Sequence, residues 1–323
     1  MPTRRLAADD AGIAEAGALL RAGKLVAIPT ETVYGLGADA GDPAAVAGIY
    51  AAKERPRFNP LIAHLPDLAA ARREGDFGPE ALLLAQAFWP GPLTLVVPSA
   101  ETGRVCDLAR AGLPSVALRV PGSSLARTVL AAAACPVAAP SANRSGRVSP
   151  TEVDHVLGDL DGRIAAVLDG GPCPVGVEST IVACLDGPPV LLRPGGVPRD
   201  AIEAILGREL AVPSAPEGAA PVSPGLLASH YAPRATVRLD ATRIRPGEAA
   251  LLFGPVPPDG IADAALSLNL SPSGDLAEAA AHLFAHLRRL DAAGPATIAV
   301  VPIPEHGLGE AIRDRLARAA APR

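Results

Sequence analysis

Short apolar runs alternate with amphipathic stretches along most of the chain. Residues 10–22 predict a helix: Asp10 stands as N-cap, Ile13, Leu19 and Leu20 are apolar, and Gly23 falls where a glycine ends a helix. LVAIP (25–29) then has the length and composition of a buried strand. Asp42-Pro43, a cap followed by proline, opens a second helix that runs to about Lys53. Strand-sized runs recur at LIAHL (61–65), LTLVV (93–97), VALRV (116–120), PVAAP (136–140), AAVLD (165–169), STIVACL (179–185) and PVLLR (189–193). Helical segments are expected at about 79–88, 123–134, 150–158 and 198–206. From 211 to 233 the period is lost in a Pro-, Ala-, Ser- and Gly-rich stretch that reads as a linker. Beyond it TVRLD, AALLFG, AALSLN and TIAVVPI alternate with helices at 274–292 and 308–320, the first carrying Leu276, Leu283, Leu287 and Leu290 on one stripe. The pattern predicts two α/β units, 1–210 and 234–323, joined by 211–233. The second is an open sheet of the Rossmann-like class, but without GxGxxG it is not a dinucleotide site.

Composition narrows this further. The 32 glycines and 35 prolines make up about a fifth of the 323 residues. That is above the usual ~12% and below the ~25–30% of low-complexity chains. With 49% hydrophobic residues, wholesale disorder is excluded. A net charge of −5 argues against bulk electrostatic wrapping of nucleic acid, leaving room for a local basic patch. Four cysteines without a CxxC pair suggest neither a zinc ribbon nor a disulfide framework and suit a reducing, cytoplasmic setting. MPTRRLAADD has no apolar core of the kind a secretory leader needs. No run approaches the ~18 apolar residues of a membrane span. Lysine occurs only at Lys24 and Lys53 in a chain that otherwise uses arginine, and asparagine only at positions 59, 143 and 269. A rare residue inside a motif therefore carries extra weight.

Several segments carry candidate chemistry. PTETVYGLG (29–37) leaves a strand end with three hydroxyl-bearing threonine and tyrosine types, Glu31 and two glycines. It fits a ligand loop or a turn whose hydroxyls satisfy their own backbone. KERPRFNPLIAH (53–64) gathers Lys53, Arg55 and Arg57 at a helix end, followed by Asn59 and His64. The cations either complement the helix dipole or clamp phosphates, and His64 is either a core residue or a ligand. Trp89 before Pro-Gly-Pro is expected to wedge a turn. Arg119 interrupts an apolar strand, so it either pairs with a carboxylate or faces an anion. APSANRSGRVSPTE (139–152) is a hydroxyl-rich loop in which Ser149 and Glu152 also read as a capping box. LDGGPCPVGVESTIV (168–182) brings a glycine turn to Glu178, Ser179 and Thr180, and Arg193 ends VLLRPGGV. No Walker A, GxSxG or HExxH motif occurs, and no metal site is expected.

Taken in order, PTETVYGLG, KxRPxxNPLIxH, WPGPLTLV, VALRVP, APSANxSGxxSPT, GVESTIV and LLRPGG resemble the YrdC-like family of L-threonylcarbamoyladenylate synthases across about 29–197. SPGLLASHYAP (223–233) resembles the linker of its long, two-domain form; the short form ends near 205. One departure is Leu226-Leu227, where the pattern has a methionine and a basic or aromatic residue. The resemblance implies a twisted mixed α/β sheet with helices around a basic concave cavity closed by the linker. It implies synthesis of threonylcarbamoyl-AMP and pyrophosphate from L-threonine, bicarbonate and ATP. A separate threonylcarbamoyl transferase complex then serves a tRNA adenosine, so tRNA is an indirect partner, with weak RNA binding at most. It further implies that Thr32, Arg55, His64, Arg119, Ala139 and Ser179 hold threonine. Lys53, Asn59, Ser115, Ser141, Asn143, Ser149 and Arg193 are implied to hold ATP, with Tyr231 reaching over from the linker. Lys53 and Arg55 are then the catalytic cations, and Mg²⁺ rides mainly on the phosphates.

Two rival readings use the same motifs. An RNA-binding or ribosome-maturation factor predicts salt-dependent RNA binding without ATP turnover, and the net acidity weighs against it. A carbamoyltransferase of hydrogenase maturation carries added acylphosphatase and zinc-finger modules, for which the cysteine spacing here gives no support. The C-terminal unit reads as a docking module for transferase partners or as a brace for the linker.

Overall fold

A computed structural model describes residues 2–56, 59–211 and 230–322. Arg57 and linker residues 212–229 lie outside the described residues. Strands β1 (Arg4–Ala7), β2 (Val26–Pro29), β3 (Tyr34–Asp39), β4 (Ile62–His64), β5 (Leu93–Pro98), β6 (Ser115–Arg119), β7 (Val137–Ala138), β8 (Ala166–Asp169), β9 (Thr180–Ala183) and β10 (Val190–Arg193) form one sheet. Its order is β1-β8-β2-β3-β7-β4-β6-β5-β9-β10, with parallel and antiparallel pairs mixed. Strands β11 (Thr236–Arg238), β12 (Ala249–Leu252), β13 (Leu266–Asn269) and β14 (Thr297–Val300) form a second sheet, ordered β11-β14-β12-β13 and wholly parallel. Among the described residues no helix is long and apolar enough to cross a membrane.

The helices are α1 (Asp10–Arg21), α2 (Pro43–Lys53), α3 (Leu68–Ala71), α4 (Pro79–Phe88), α5 (Asp107–Arg110), α6 (Ser124–Ala133), α7 (Val153–Leu160), α8 (Arg199–Leu206), α9 (Leu276–Ala292) and α10 (Leu308–Ala320). The start of α2 follows its sequence signal: Asp42 accepts from the Ala44 amide and Pro43 needs no partner. The end of α2 positions the site. Glu54 turns left-handed at φ 54°, which sends Arg55 away from the helix axis. That conformation is uncommon for a non-glycine residue. Ion pairs from Glu54 to Arg144 and Arg163 tie it to the 144–147 loop and to the chain after α7.

Three sequence expectations change. Asp9, not Asp10, caps α1 through the Gly12 amide. The stretch after Pro29 is not all loop: Tyr34–Asp39 is β3, paired with β2 and β7. Tyr34 is fully buried there, its hydroxyl donating to the Gly171 carbonyl, so it is structural. The capping box fails as well. Helix α7 begins at Val153 with Glu152 as N-cap and no side-chain bond, because Ser149 is engaged elsewhere. Trp89 caps α4, donates to the Leu93 carbonyl at 2.7 Å and meets Phe77 edge-on.

The two sheets share a core. Val33, Val148 and Val177 from the larger unit pack with Tyr231, Phe284, Leu287 and Ile312 from the smaller. Gly176 sits against α9 at φ 75°, where an added Cβ would meet the Ala280 carbonyl oxygen at 2.2 Å. Only glycine permits both that conformation and that approach. Arg288 on α9 reaches buried Asp159 at 2.8 Å, and Arg199 on α8 pairs with Glu310 on α10. The C-terminal unit is thus fixed against the larger sheet by packing and by charge.

Candidate active site

Strand ends assemble a cavity where several strands deliver polar residues to one place, the usual ligand position in α/β sheets. Parallel strands β4 and β6 bring His64 opposite Arg119. Thr32 and Val33 follow β2, and the loop after β7 supplies Ala139, Pro140 and Ser141. Ser179 precedes β9, and Arg193 ends its antiparallel neighbour β10. Arg55 arrives from the turn after α2, while Glu178, His230 and Tyr231 complete the wall.

The sequence-predicted residues Thr32, Arg55, His64, Arg119, Ala139, Ser141, Ser179, Arg193 and Tyr231 therefore share one cavity. Lys53, Asn143 and Ser149 stand behind the wall. Lys53 is fully buried at the end of α2, and its Nζ donates to the carbonyls of Ser141 and Asn143. Asn143 donates to the carbonyls of Arg144 and Arg147, leaving its Oδ1 buried without a partner. Asn59 is buried with Oδ1 likewise unpartnered. Ser115 opens β6 at the far end of the strand from Arg119. With alternation it shares a face with Ala117 and Arg119, roughly 13 Å away at ~3.3 Å per residue. On that face Ile62, Val96, Ala117, Ile181, Ala183 and Leu192 form an apolar cluster.

Two buried ion pairs organise the walls. Arg119 Nη2 donates to Glu31 Oε1 at 2.5 Å, which settles the choice the sequence left open: Arg119 pairs with a carboxylate and still faces the cavity. Burial alone would raise the Glu31 carboxyl. The Arg119 charge and an amide bond outweigh it and hold that carboxyl below its usual range. Glu178, also on the cavity wall, accepts from Ser149 Oγ at 2.6 Å and from Arg315 Nε at 2.8 Å. Its burial penalty is again outweighed, here by Arg315 and Arg193, so it too stays ionised.

The cations are poised rather than neutralised. Arg55 is lowered to about 10 by burial, with Arg193 adding repulsion, and its buried Nε has no partner. Burial also lowers Arg193, whose Nη2 donates to the Ser179 carbonyl at 2.9 Å. Lys53 is held well below its ordinary value, first by burial and then by Arg55. His64 falls to about 3 through burial and the Arg119 charge, so its ring is neutral near pH 7. Its Nδ1 lies 3.2 Å from the Ile62 carbonyl. His230, also lowered to about 3 chiefly by burial, keeps Nδ1 unpartnered. Under-satisfied buried cations and acceptors in one place await an anionic, hydrogen-bonding ligand.

Glu178, His230 and Arg315 had no assigned role in the sequence reading. Glu178 and His230 stand inside quoted motifs, directly beside Ser179 and Tyr231. Arg315 gave no signal at all. Size would also mislead: a cavity of about 620 Å³ lies elsewhere, but its arginines, Arg73 and Arg104, are exposed, whereas the site described here holds only about 50 Å³. Chemistry, not volume, marks the site.

A hollow lined by Arg55, Arg119 and Arg193 in a twisted mixed sheet, backed by a small parallel-sheet domain, defines a two-domain α/β protein. A family model described as "Telomere recombination", covering the Sua5, YciO and YrdC proteins, matches residues 18–195. Another, described as "Threonylcarbamoyl-AMP synthase, C-terminal domain", matches 197–321. The Bacillus subtilis threonylcarbamoyl-AMP synthase is 40% identical over 99% of this chain and 96% of its own length. The crystal structure of Pyrococcus abyssi Sua5 complexed with L-threonine superposes with a TM-score of 0.88 at 37% identity, covering 98% of this chain and 97% of that one. Escherichia coli YciO, at 20% identity and a TM-score of 0.51 over 60% of this chain, shares the fold. The chain belongs to the Sua5/YciO/YrdC family, in the form that carries the threonylcarbamoyl-AMP synthase C-terminal domain.

Proposed function

We propose that this chain is an L-threonylcarbamoyladenylate synthase, a nucleotidyltransferase that converts L-threonine, bicarbonate and ATP into threonylcarbamoyl-AMP, pyrophosphate and water. The observation that carries the reading is the convergence of buried Arg55, Arg119 and Arg193 on one cavity with neutral His64 and the hydroxyls of Thr32 and Ser179. The amine of threonine and bicarbonate give a carbamate with loss of water. A carbamate oxygen then attacks the α-phosphorus, and pyrophosphate leaves. Such a transfer needs alignment and charge stabilisation more than a protein nucleophile. This matches a site rich in cations and lacking a Ser-His-Asp arrangement.

Thr32, His64, Arg119, Ala139 and Ser179 hold the amino acid in this reading, with Arg55 between it and the nucleotide. Arg193 and Ser141 face the triphosphate, backed by Lys53, Asn143 and Ser149. The apolar face running from Arg119 towards Ser115 accommodates the base, with Asn59 and Tyr231 beside it. The free volume is far below the ~300–1,000 Å³ of ordinary ligand pockets, so the walls must part to admit ATP. Among the described residues no group of three or more His, Cys, Asp or Glu could hold a metal ion. In this reading Mg²⁺ arrives with the triphosphate, held mainly by its phosphate oxygens.

Residues 1–210 form the catalytic unit, 211–233 the closing segment and 234–323 the supporting domain. The product is an activated acyl phosphate anhydride, which a threonylcarbamoyl transferase complex passes to a tRNA adenosine. Four free cysteines support a cytoplasmic location. The test is incubation with ATP, bicarbonate and a panel of amino acids, followed by mass detection. Threonylcarbamoyl-AMP with equimolar pyrophosphate is expected; absence of any carbamoyl adenylate overturns the reading.

A further inference from the structure

Arg315 links the C-terminal domain to the cavity wall. It comes from α10 and is wholly buried. Its Nε donates to Glu178 Oε2 at 2.8 Å, and its Nη1 donates at 2.8 Å to the carbonyl of Pro194, the residue after Arg193. Asp314 Oδ2 accepts from the same Nη1. The guanidinium carbon lies 5.4 Å from the ring centroid of Tyr231, which also stacks on Phe284. One side chain thus touches the wall carboxylate, the end of β10 and the aromatic residue that closes the cavity.

We propose that Arg315 is a positioning residue for the nucleotide half of the site. It holds Glu178 to itself and to Ser149, and so keeps Arg193, bonded only to Ser179 oxygens, from being claimed by that carboxylate instead of the triphosphate. This rests on the proposed synthase reading and gives the C-terminal domain a defined part in it. A buried carboxylate beside an anion site repels the incoming anion unless a fixed cation offsets it. Without Arg315, the cation left to offset Glu178 is Arg193, which already contributes to keeping Glu178 ionised. A Glu178–Arg193 pair would compete directly with phosphate oxygens. Threonine, whose holding residues Thr32, His64 and Arg119 do not bond to Glu178 or Arg315, would lose less, and only through the bonds from Arg193 to Ser179.

The test measures ATP and L-threonine binding separately by titration calorimetry on the full chain. Arg315→Lys keeps a charge but loses the fork, so it is expected to weaken ATP binding about 10–100-fold and threonine binding less than about 2-fold. The double variant Glu178→Gln/Arg315→Met removes both charges of the buried pair, so no carboxylate is left to draw Arg193 away, and it is expected to recover ATP binding to within about 5-fold of wild type. It also serves if the single variant folds poorly. Unchanged ATP affinity in Arg315→Lys overturns the inference, as does equal loss of both ligands in both variants, which marks a purely structural role. A wild-type chain that binds no ATP would overturn the synthase reading as well; one that binds ATP normally while the variants do not discriminate removes only the inference.

Discussion

Two buried arginine–carboxylate pairs each put one member on the cavity wall, and they are built differently. Arg119 and Glu31 both belong to the larger sheet, one at the end of β6 and one after β2. Arg315 and Glu178 join the C-terminal domain to the larger sheet. Each keeps a carboxylate ionised against its burial penalty. The first pair forms as soon as the larger sheet folds. The second exists only when the two domains are docked. Under the proposed assignment, the amino-acid side of the cavity is intrinsic to one domain, whereas the nucleotide side depends on both.

Removing Arg119 should have the largest effect. Arg119→Met leaves Glu31 buried and unpaired, which costs about 3–5 kcal/mol of stability by the usual cost of breaking a buried pair. A urea midpoint measures that loss, and threonine-dependent turnover should disappear with it. Little change in either would dissolve the distinction between the two walls. Lys53 provides the next test, since it is a buried cation held by carbonyls instead of a carboxylate. Lys53→Ala should lower pyrophosphate release about 10²–10³-fold if it orders the 141–143 turn and adds charge near the phosphates. Near wild-type release would remove it from the mechanism.

Much of this arrangement can be read from the residues before any coordinates. Pro29 and Arg193 each end an apolar run, so their placement at strand ends follows from pattern alone, whereas His64 and Arg119 stand inside the expected runs and end β4 and β6 only in the structure. The motif residues cluster because neighbouring strands deliver them to the same end of the sheet. Other features depend on distant partners. Tyr34-Gly-Leu-Gly carries glycines that favour a loop, and it becomes a strand because β2 and β7 pair with both its edges. Ser149 satisfies the local capping rule, yet Glu178, distant in sequence, takes its hydroxyl. Arg315 sits in a regular helix among buried Ala311, Ile312, Leu316 and Ala319, and its carboxylate is 137 residues away. No local periodicity encodes such a pair.

Acid should act on both walls through the same linkage. Glu31 and Glu178 have lowered values, so the stability they add is present above the unfolded carboxyl value, about 4.3, and is lost as pH falls below it. His64 acts earlier. Its folded value is about 3, so the unfolded chain binds the extra proton as pH drops below about 6.5. Stability is full above that pH and declines towards pH 3, by a few kcal/mol on the order set by the shift. Urea midpoints from pH 8 to 4 should show this decline in wild type and a flatter profile in His64→Gln. An identical slope in both would exclude His64 as its source.

The smallest effect comes from the domain seam. Gly176→Ala forces a methyl against the Ala280 carbonyl in a backbone conformation that disfavours side chains. A cost of about 1–3 kcal/mol is expected in thermal unfolding. ATP affinity should fall because Arg315 shifts, while threonine affinity stays within about 2-fold of wild type. Parallel loss of both ligands would mean that the walls are coupled.

A crystal structure of the chain with L-threonine and a non-hydrolysable ATP analogue examines the whole arrangement at once. Threonine should lie against Thr32, His64 and Arg119, with the triphosphate between Arg55 and Arg193 and its α-phosphorus nearest the amino acid. A nucleotide seated instead in the large cavity beside Arg73 and Arg104, with the buried arginines untouched, would contradict it.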